Sequence, residues 1–270
     1  TLGVITAASL KLFPAPRANA TAFVAIPDPE RAVQLLSHLR EASGDQVSSF
    51  ELIPAVALEL VMRHIPGARR PLSDSSPWFV LCELTSSRSG EPLDTRLEEA
   101  LGEAMERGLA TDAVLAQSER DRREFWHLRE NIPHSQRLEG VSLKHDVSIP
   151  IDRLPGFVAR ASAWLETHVA EGFLVCYGHV GDGNLHFNLN ERRGVAAGAL
   201  AARREDIRRT IHDLVRDEGG SFSAEHGIGQ SKLAELQHYA DPVELNLMRT
   251  LKSTLDPNGI LNPGKVVSVR

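Results

Sequence analysis

The chain has 270 residues, enough for one large domain or two small ones around a sizeable hydrophobic core. With 42% hydrophobic and 24% charged residues it has the composition of a globular protein, not a disordered one. Its net charge of −6 comes from 30 basic and 36 acidic side chains mixed along the sequence, which argues against a duplex nucleic-acid binder, and no apolar run approaches the roughly 20 residues of a membrane span.

In chain order, TLGVITAASLKLFPAP opens without an initiator Met, a basic n-region or a cleavage signal. It reads as the middle of a β-rich module whose last strand has been cut into. Residues 1–16 are therefore expected to be the remnant and linker of an upstream domain, with Pro14-Ala15-Pro16 stiffening the crossing, and 17–270 a second domain. TAFVAIP (21–27) predicts a strand, and PERAVQLLSHLREAS (29–43) a helix with an apolar stripe, Asp28 as N-cap and Pro29 at its first position. VSSFELIP predicts a strand, PAVALELVMRH a short helix, PWFVLCELT (77–85) a buried strand, 93–107 an amphipathic helix and DAVLAQS (112–118) a further strand. Two strand-helix-strand units in succession suggest an α+β fold, a ferredoxin-like antiparallel sheet with helices on one face, followed by a helical C-terminal part. Cys82 and Cys176 each sit in an apolar run and read as small buried hydrophobes, so no disulfide framework is expected and a reducing cytoplasm fits.

The second half predicts a helix over 119–137, a half-buried strand at SLKHDVSIP (142–150), a helix in IDRLPGFVARASAWLETHVA and strands at FLVCYGHV and LHFNLN. An Arg-rich helix over roughly 196–218, a Gly-rich bend at GGSFSAEHGIG and two short helices complete the chain.

GHVGDGNLHFN (178–188) is the stretch least like generic globular sequence. Its glycines lead into a period-two strand pattern, not a helix, which disfavours a phosphate loop. With Asp182-Gly183 at the centre of a type I′ turn, His179 would face His186 across a hairpin, with Asn188 on the same face. Two imidazoles could then converge on one ion. Glu225 and His226, in SAEHGIG, add a candidate carboxylate ligand and a candidate base, and two histidines with one carboxylate leave a metal open to substrate. The same groups suit a metal-dependent hydrolase, and a sheet of this kind also serves as a non-catalytic small-molecule-binding module.

GHVGDGNLHFN, SAEHGIG-x-x-K and DPNGILNPGKV, in this order, resemble the C-terminal substrate or cap domain of the FAD-linked 2-hydroxyacid dehydrogenases. That group includes D-lactate dehydrogenases, the glycolate oxidase flavin subunit and D-2-hydroxyglutarate dehydrogenase, within the vanillyl-alcohol oxidase superfamily. The resemblance implies FAD held mainly by an upstream domain, a divalent metal such as zinc, a D-2-hydroxy acid substrate and an unidentified electron acceptor, and it is compatible with a homodimer. It implies that His179, His186 and Glu225 are metal ligands and that His226 is the base. Arg129, Lys144 and Asn188 would bind substrate, and Asn262 would approach the flavin. Pro133 departs from the pattern: some relatives that oxidise 2-hydroxyglutarate carry a threonine there, and proline has neither hydroxyl nor N–H.

Overall fold

The computed structural model describes residues 1–73 and 75–267. They form two compact units: residues 14–221, and residues 1–13 together with the chain from Phe222 onward. The stretch from Phe222 onward clusters with the chain's first residues and not with the sheet.

The larger unit begins with β1 (Ala18–Ile26), α1 (Pro29–Ser43), β2 (Val47–Pro54), α2 (Ala55–His64), β3 (Trp78–Ser86), α3 (Leu93–Glu106) and β4 (Asp112–Leu115). These strands lie in the order β4-β1-β3-β2, all antiparallel, which is the ferredoxin-like arrangement. α4 (Glu119–Glu130), α5 (Ile132–Glu139), β5 (Ser142–Leu143), β6 (Asp146–Ser148), α6 (Leu154–His168), β7 (Gly172–His179), β8 (Asn184–Glu191), α7 (Ala199–Ala202) and α8 (Arg204–Asp217) follow. β7 joins the free edge of β2 and is followed by β8, which pairs with both β5 and β6.

Period-two alternation explains how the sheet is covered. Along β1, Ala20, Ala22, Val24 and Ile26 enter one core with α1, α3, α6 and α8, whereas Phe23 and Ala25 enter a second core with α2, α4 and α5. The α+β class and the antiparallel sheet are as the sequence predicts, and helices lie on both faces instead of one. The local signals act as expected in α1: the Asp28 side chain accepts from the Arg31 N–H at 2.8 Å, and Gly44, at φ +65°, ends the helix in the left-handed conformation.

The helix predicted over 119–137 is two helices, breaking at Asn131. Pro133 has no N–H to give the Arg129 carbonyl and its ring crowds that carbonyl, so it sits instead in the first turn of α5. α4 is clamped on the sheet by Phe125, whose ring lies 5.9 Å from that of Phe23, and by Arg122 and Arg129, two turns apart on one helix face. Arg122 Nε donates to Glu83 at 2.7 Å, and Arg129 Nε donates to Glu51 at 2.9 Å.

Glu139, at the end of α5, ties three segments together. It accepts from His64 at 2.6 Å, from Arg63 at 2.9 Å and from Arg193 at 2.8 and 3.0 Å. Burial alone would raise its carboxyl, but the bonds from His64, Arg193 and Arg63 outweigh that and hold it at about 2, against an ordinary 4.5. A carboxylate depressed in the folded state stabilises fully above its unfolded value, and that stabilisation is lost as pH falls from 4.5 toward about 2. Glu139→Gln should therefore flatten part of the acid-side decline in melting temperature. Parallel melts of parent and variant between about pH 6 and 3 test this, and identical slopes would contradict it.

The smaller unit contains α9 (Leu233–Tyr239) and α10 (Pro242–Leu255) around a small core of Leu236, Leu245 and Val267. Lys252 on α10 donates to the Thr1 carbonyl, the Asp256 carboxylate and the Leu261 carbonyl, so one buried ammonium joins the chain's first residue to its last loop. Among the described residues no helix is long and apolar enough to cross a membrane. Both cysteines are free and buried, as their apolar settings predict.

Candidate functional site

The connection between β7 and β8 is longer than the predicted two-residue turn. Residues Val180–Asp182 form a 3₁₀ turn, Gly183 continues at φ +75°, and Tyr177, not His179, pairs with His186. Asp182 Oδ1 accepts from the Asn184 N–H at 3.1 Å, so this aspartate serves the turn itself. Two glycines enforce the path: a Cβ on Gly183 would lie 2.0 Å from the Ile149 oxygen, and one on Gly178 would lie 2.3 Å from the Asn184 oxygen. The register differs from the expected one by two residues. A two-residue shift keeps parity, so His179 and His186 still share a face, with ring centroids 5.9 Å apart.

LHFNLN sorts itself between the faces. Leu185, Phe187 and Leu189 enter the core with α1 and α6, which puts His186, Asn188 and Asn190 on the face covered by α4 and α5. Pairing then draws a polar row across the sheet: Glu51 of β2 opposite His179 of β7, and Tyr177 of β7 opposite His186 of β8, which is itself opposite Asp146 of β6.

Contacts along the row are specific. His179 Nδ1 lies 2.6 Å from Glu51 Oε1, and the other Glu51 oxygen takes the Arg129 Nε hydrogen at 2.9 Å. Burial alone would raise the Glu51 carboxyl, but hydrogen bonding and charge from His179 and Arg129 outweigh it and hold it below its ordinary value. The Arg129 guanidinium lies over the Tyr177 ring at 4.8 Å, and that ring meets His186 at 4.9 Å. Burial pushes the Tyr177 hydroxyl up to about 12, so the phenol stays protonated. His186 Nδ1 is 3.8 Å from Asp146 Oδ1, within ion-pair reach.

Asn188 is on the predicted face and buried in an amide ladder. Its Nδ2 donates to Gln136 at 3.1 Å, its Oδ1 accepts from the His145 N–H at 3.2 Å, and Gln136 also donates to Asn190 at 2.8 Å. Lys144 is exposed in the connection between β5 and β6. Glu51, Tyr177, Asp146 and Gln136 are part of this constellation and were not singled out by motif; a lone carboxylate inside the otherwise apolar FELIP was the signal available for Glu51.

Glu225, His226 and Asn262 belong to the smaller unit. Glu225 and His226 are exposed in a bend braced by Lys232, the lysine of the x-x-K motif, which donates to Ser223 Oγ at 2.9 Å and to the Phe222 carbonyl at 3.3 Å. Asn262 is exposed at φ +50°, a conformation that asparagine tolerates. Its loop is shaped by Asp256, which accepts from the N–H groups of Ile260 and Leu261 at 3.0 and 2.9 Å.

The donor set on the sheet suits a divalent ion. Glu51, as an anion, only accepts hydrogen bonds, so His179 Nδ1 carries the hydrogen and a neutral imidazole has its lone pair on Nε2. A carboxylate behind a histidine is the usual outer partner of a metal-binding imidazole.

Substrate-bound p-cresol methylhydroxylase superposes with a TM-score of 0.64 over 93% of this chain and 53% of that one, at 14% identity, which is a likeness of fold. More particularly, the model of the C-terminal domain of FAD linked oxidases matches residues 15–266, and the chain belongs to that family. It is 36% identical over 267 residues to the mitochondrial D-2-hydroxyglutarate dehydrogenase of Bos taurus, covering 99% of this chain and 47% of that protein. It is 31% identical to the D-2-hydroxyglutarate dehydrogenase of Xanthomonas citri pv. viticola, covering 98% of this chain and 55% of that protein. The chain thus spans about half the length of the curated relatives it matches.

Proposed function

We infer that this chain is the substrate-side part of a flavoprotein that oxidises a D-2-hydroxy acid to the 2-oxo acid. The observation that carries this reading is the pair His179 and His186 on one sheet face, with Glu51 behind the first and Arg129 bound to the same carboxylate. Family membership supports the flavin, and the D-2-hydroxyglutarate dehydrogenases among its relatives support the substrate class.

In this reading His179, His186 and Glu225 hold a divalent ion such as zinc, and Asn262 approaches the flavin. The bound flavin would supply a hydride acceptor and the ion a Lewis acid at the substrate hydroxyl. The chain's own groups do the rest. His226 takes the hydroxyl proton as the C2–H bond breaks, a role open to an imidazole with an unprotonated ring nitrogen. Arg129, with Nε held by Glu51, offers its terminal nitrogens to the substrate carboxylate, and Lys144 adds a point charge. Asn188, braced by Gln136, keeps the floor of the site rigid. Relatives make D-2-hydroxyglutarate the first compound to test, while Pro133 removes a hydrogen-bonding side chain that a second carboxylate could use.

The test is a panel of D- and L-2-hydroxy acids on the full-length, flavin-loaded protein with a dye acceptor. Turnover of at least one D-isomer, lost with a chelator and restored by a divalent metal, is expected. A flavin-loaded protein that oxidises none of them overturns the reading.

A further inference from the structure

Two carboxylates on the same sheet face clamp α4, and they differ in one respect. Glu83 is satisfied by structural partners alone: Arg122 Nε at 2.7 Å, Thr21 Oγ1 at 2.9 Å and Trp126 Nε1 at 3.2 Å. Glu51 divides its two oxygens between a helix arginine and the ring of His179, one of the two imidazoles assigned above to the metal. Its side chain is only 4% exposed, and Glu51 and His179 are direct cross-strand partners at one of the two positions where β2 and β7 pair. A purely structural clamp on α4 needs no histidine, as Glu83 demonstrates.

We propose that Glu51 is a positioning residue: through Oε1 it holds His179 with Nδ1 protonated and Nε2 as the ligand nitrogen, and through Oε2 it orients Arg129 toward the substrate carboxylate. The inference rests on the metal and substrate assignments above and deepens them. One buried anion serves two groups that must be set relative to each other, because the substrate's hydroxyl and carboxylate are joined through a single carbon. Held by one side chain, the ligand histidine and the arginine keep a fixed separation. In Glu51→Gln the amide still fills the space, but it lacks the charge that polarises the imidazole and favours the Nδ1–H form.

The experiment compares full-length Glu51→Gln, Glu83→Gln and His179→Ala, reading zinc affinity by chelator competition alongside kcat and KM. Glu51→Gln should bind zinc roughly 10- to 100-fold more weakly, and its KM for the 2-hydroxy acid should rise as Arg129 loses its anchor. Glu83→Gln should bind zinc as the parent does, even though its melting temperature falls. Parental zinc affinity in Glu51→Gln, in a protein where His179→Ala has lost the metal, overturns this inference and spares the metal site. Metal retained in His179→Ala overturns the metal site itself, and the inference with it. Should Glu51→Gln fail to fold, ¹⁵N-histidine spectra of the unaltered protein decide: His179 protonated at Nδ1 is expected, and protonation at Nε2 alone refutes the role.

Discussion

On the proposed function, replacing His179 or His186 with alanine in the full-length protein should remove a divalent ion from the site and lower 2-hydroxy acid oxidation by roughly two to three orders of magnitude. The estimate follows from a Lewis-acid contribution of several kcal/mol at about 1.4 kcal/mol per factor of ten. The loss should come from chemistry and not from unfolding. His179 ends β7 with more than a third of its side chain exposed, and His186 lies beside Tyr177 with its backbone secured by pairing on both sides, to β6 and β7. Metal content measured by atomic emission, with far-ultraviolet dichroism as a control for folding, tests the assignment. Unchanged metal in both variants would sink it.

Arg129→Met should destabilise the fold by roughly 3–5 kcal/mol, because it leaves the buried Glu51 carboxylate without its guanidinium. For a chain of this size that is a melting temperature lower by about 6–20 °C. Side-chain exposures of 9% for Arg129 and 4% for Glu51 justify treating the pair as buried, where removing one partner costs far more than removing both. The double variant Arg129→Met with Glu51→Gln should accordingly recover a large part of the loss. A single variant within about 1 kcal/mol of the parent, or a double variant with strictly additive losses, would show that solvent reaches Glu51 and screens it.

Much of the fold is legible wherever the signal is local. VSSFELIP reads as a strand and is one, over Val47–Pro54, because its alternation places Glu51 and Ile53 on one face and Leu52 on the other. Asp28 and Pro29 mark the start of α1 for the same reason: a cap bonds within three residues. Pro133 was visible too, yet the helical stripe runs through it on both sides. Only the lost hydrogen bond to residue 129, which a hydrophobic pattern does not weigh, separates α4 from α5.

For the candidate site, the sequence by itself determined that His179, His186 and Asn188 share a face, because strand parity survives a two-residue error in the turn. It also identified the three motifs that carry the family. Tertiary structure alone decided what stands behind those histidines. Glu51 is 128 residues from His179 and 78 from Arg129, and it meets both because β7 adds to the edge of β2 while α4 lies across that face. Likewise the meeting of Lys252 with Thr1, 251 residues apart, makes one compact unit from the two ends of the chain. Periodicity reports which side of an element is buried. It cannot report which distant element buries it, because strand order and helix docking are settled by how the whole set of apolar faces packs together.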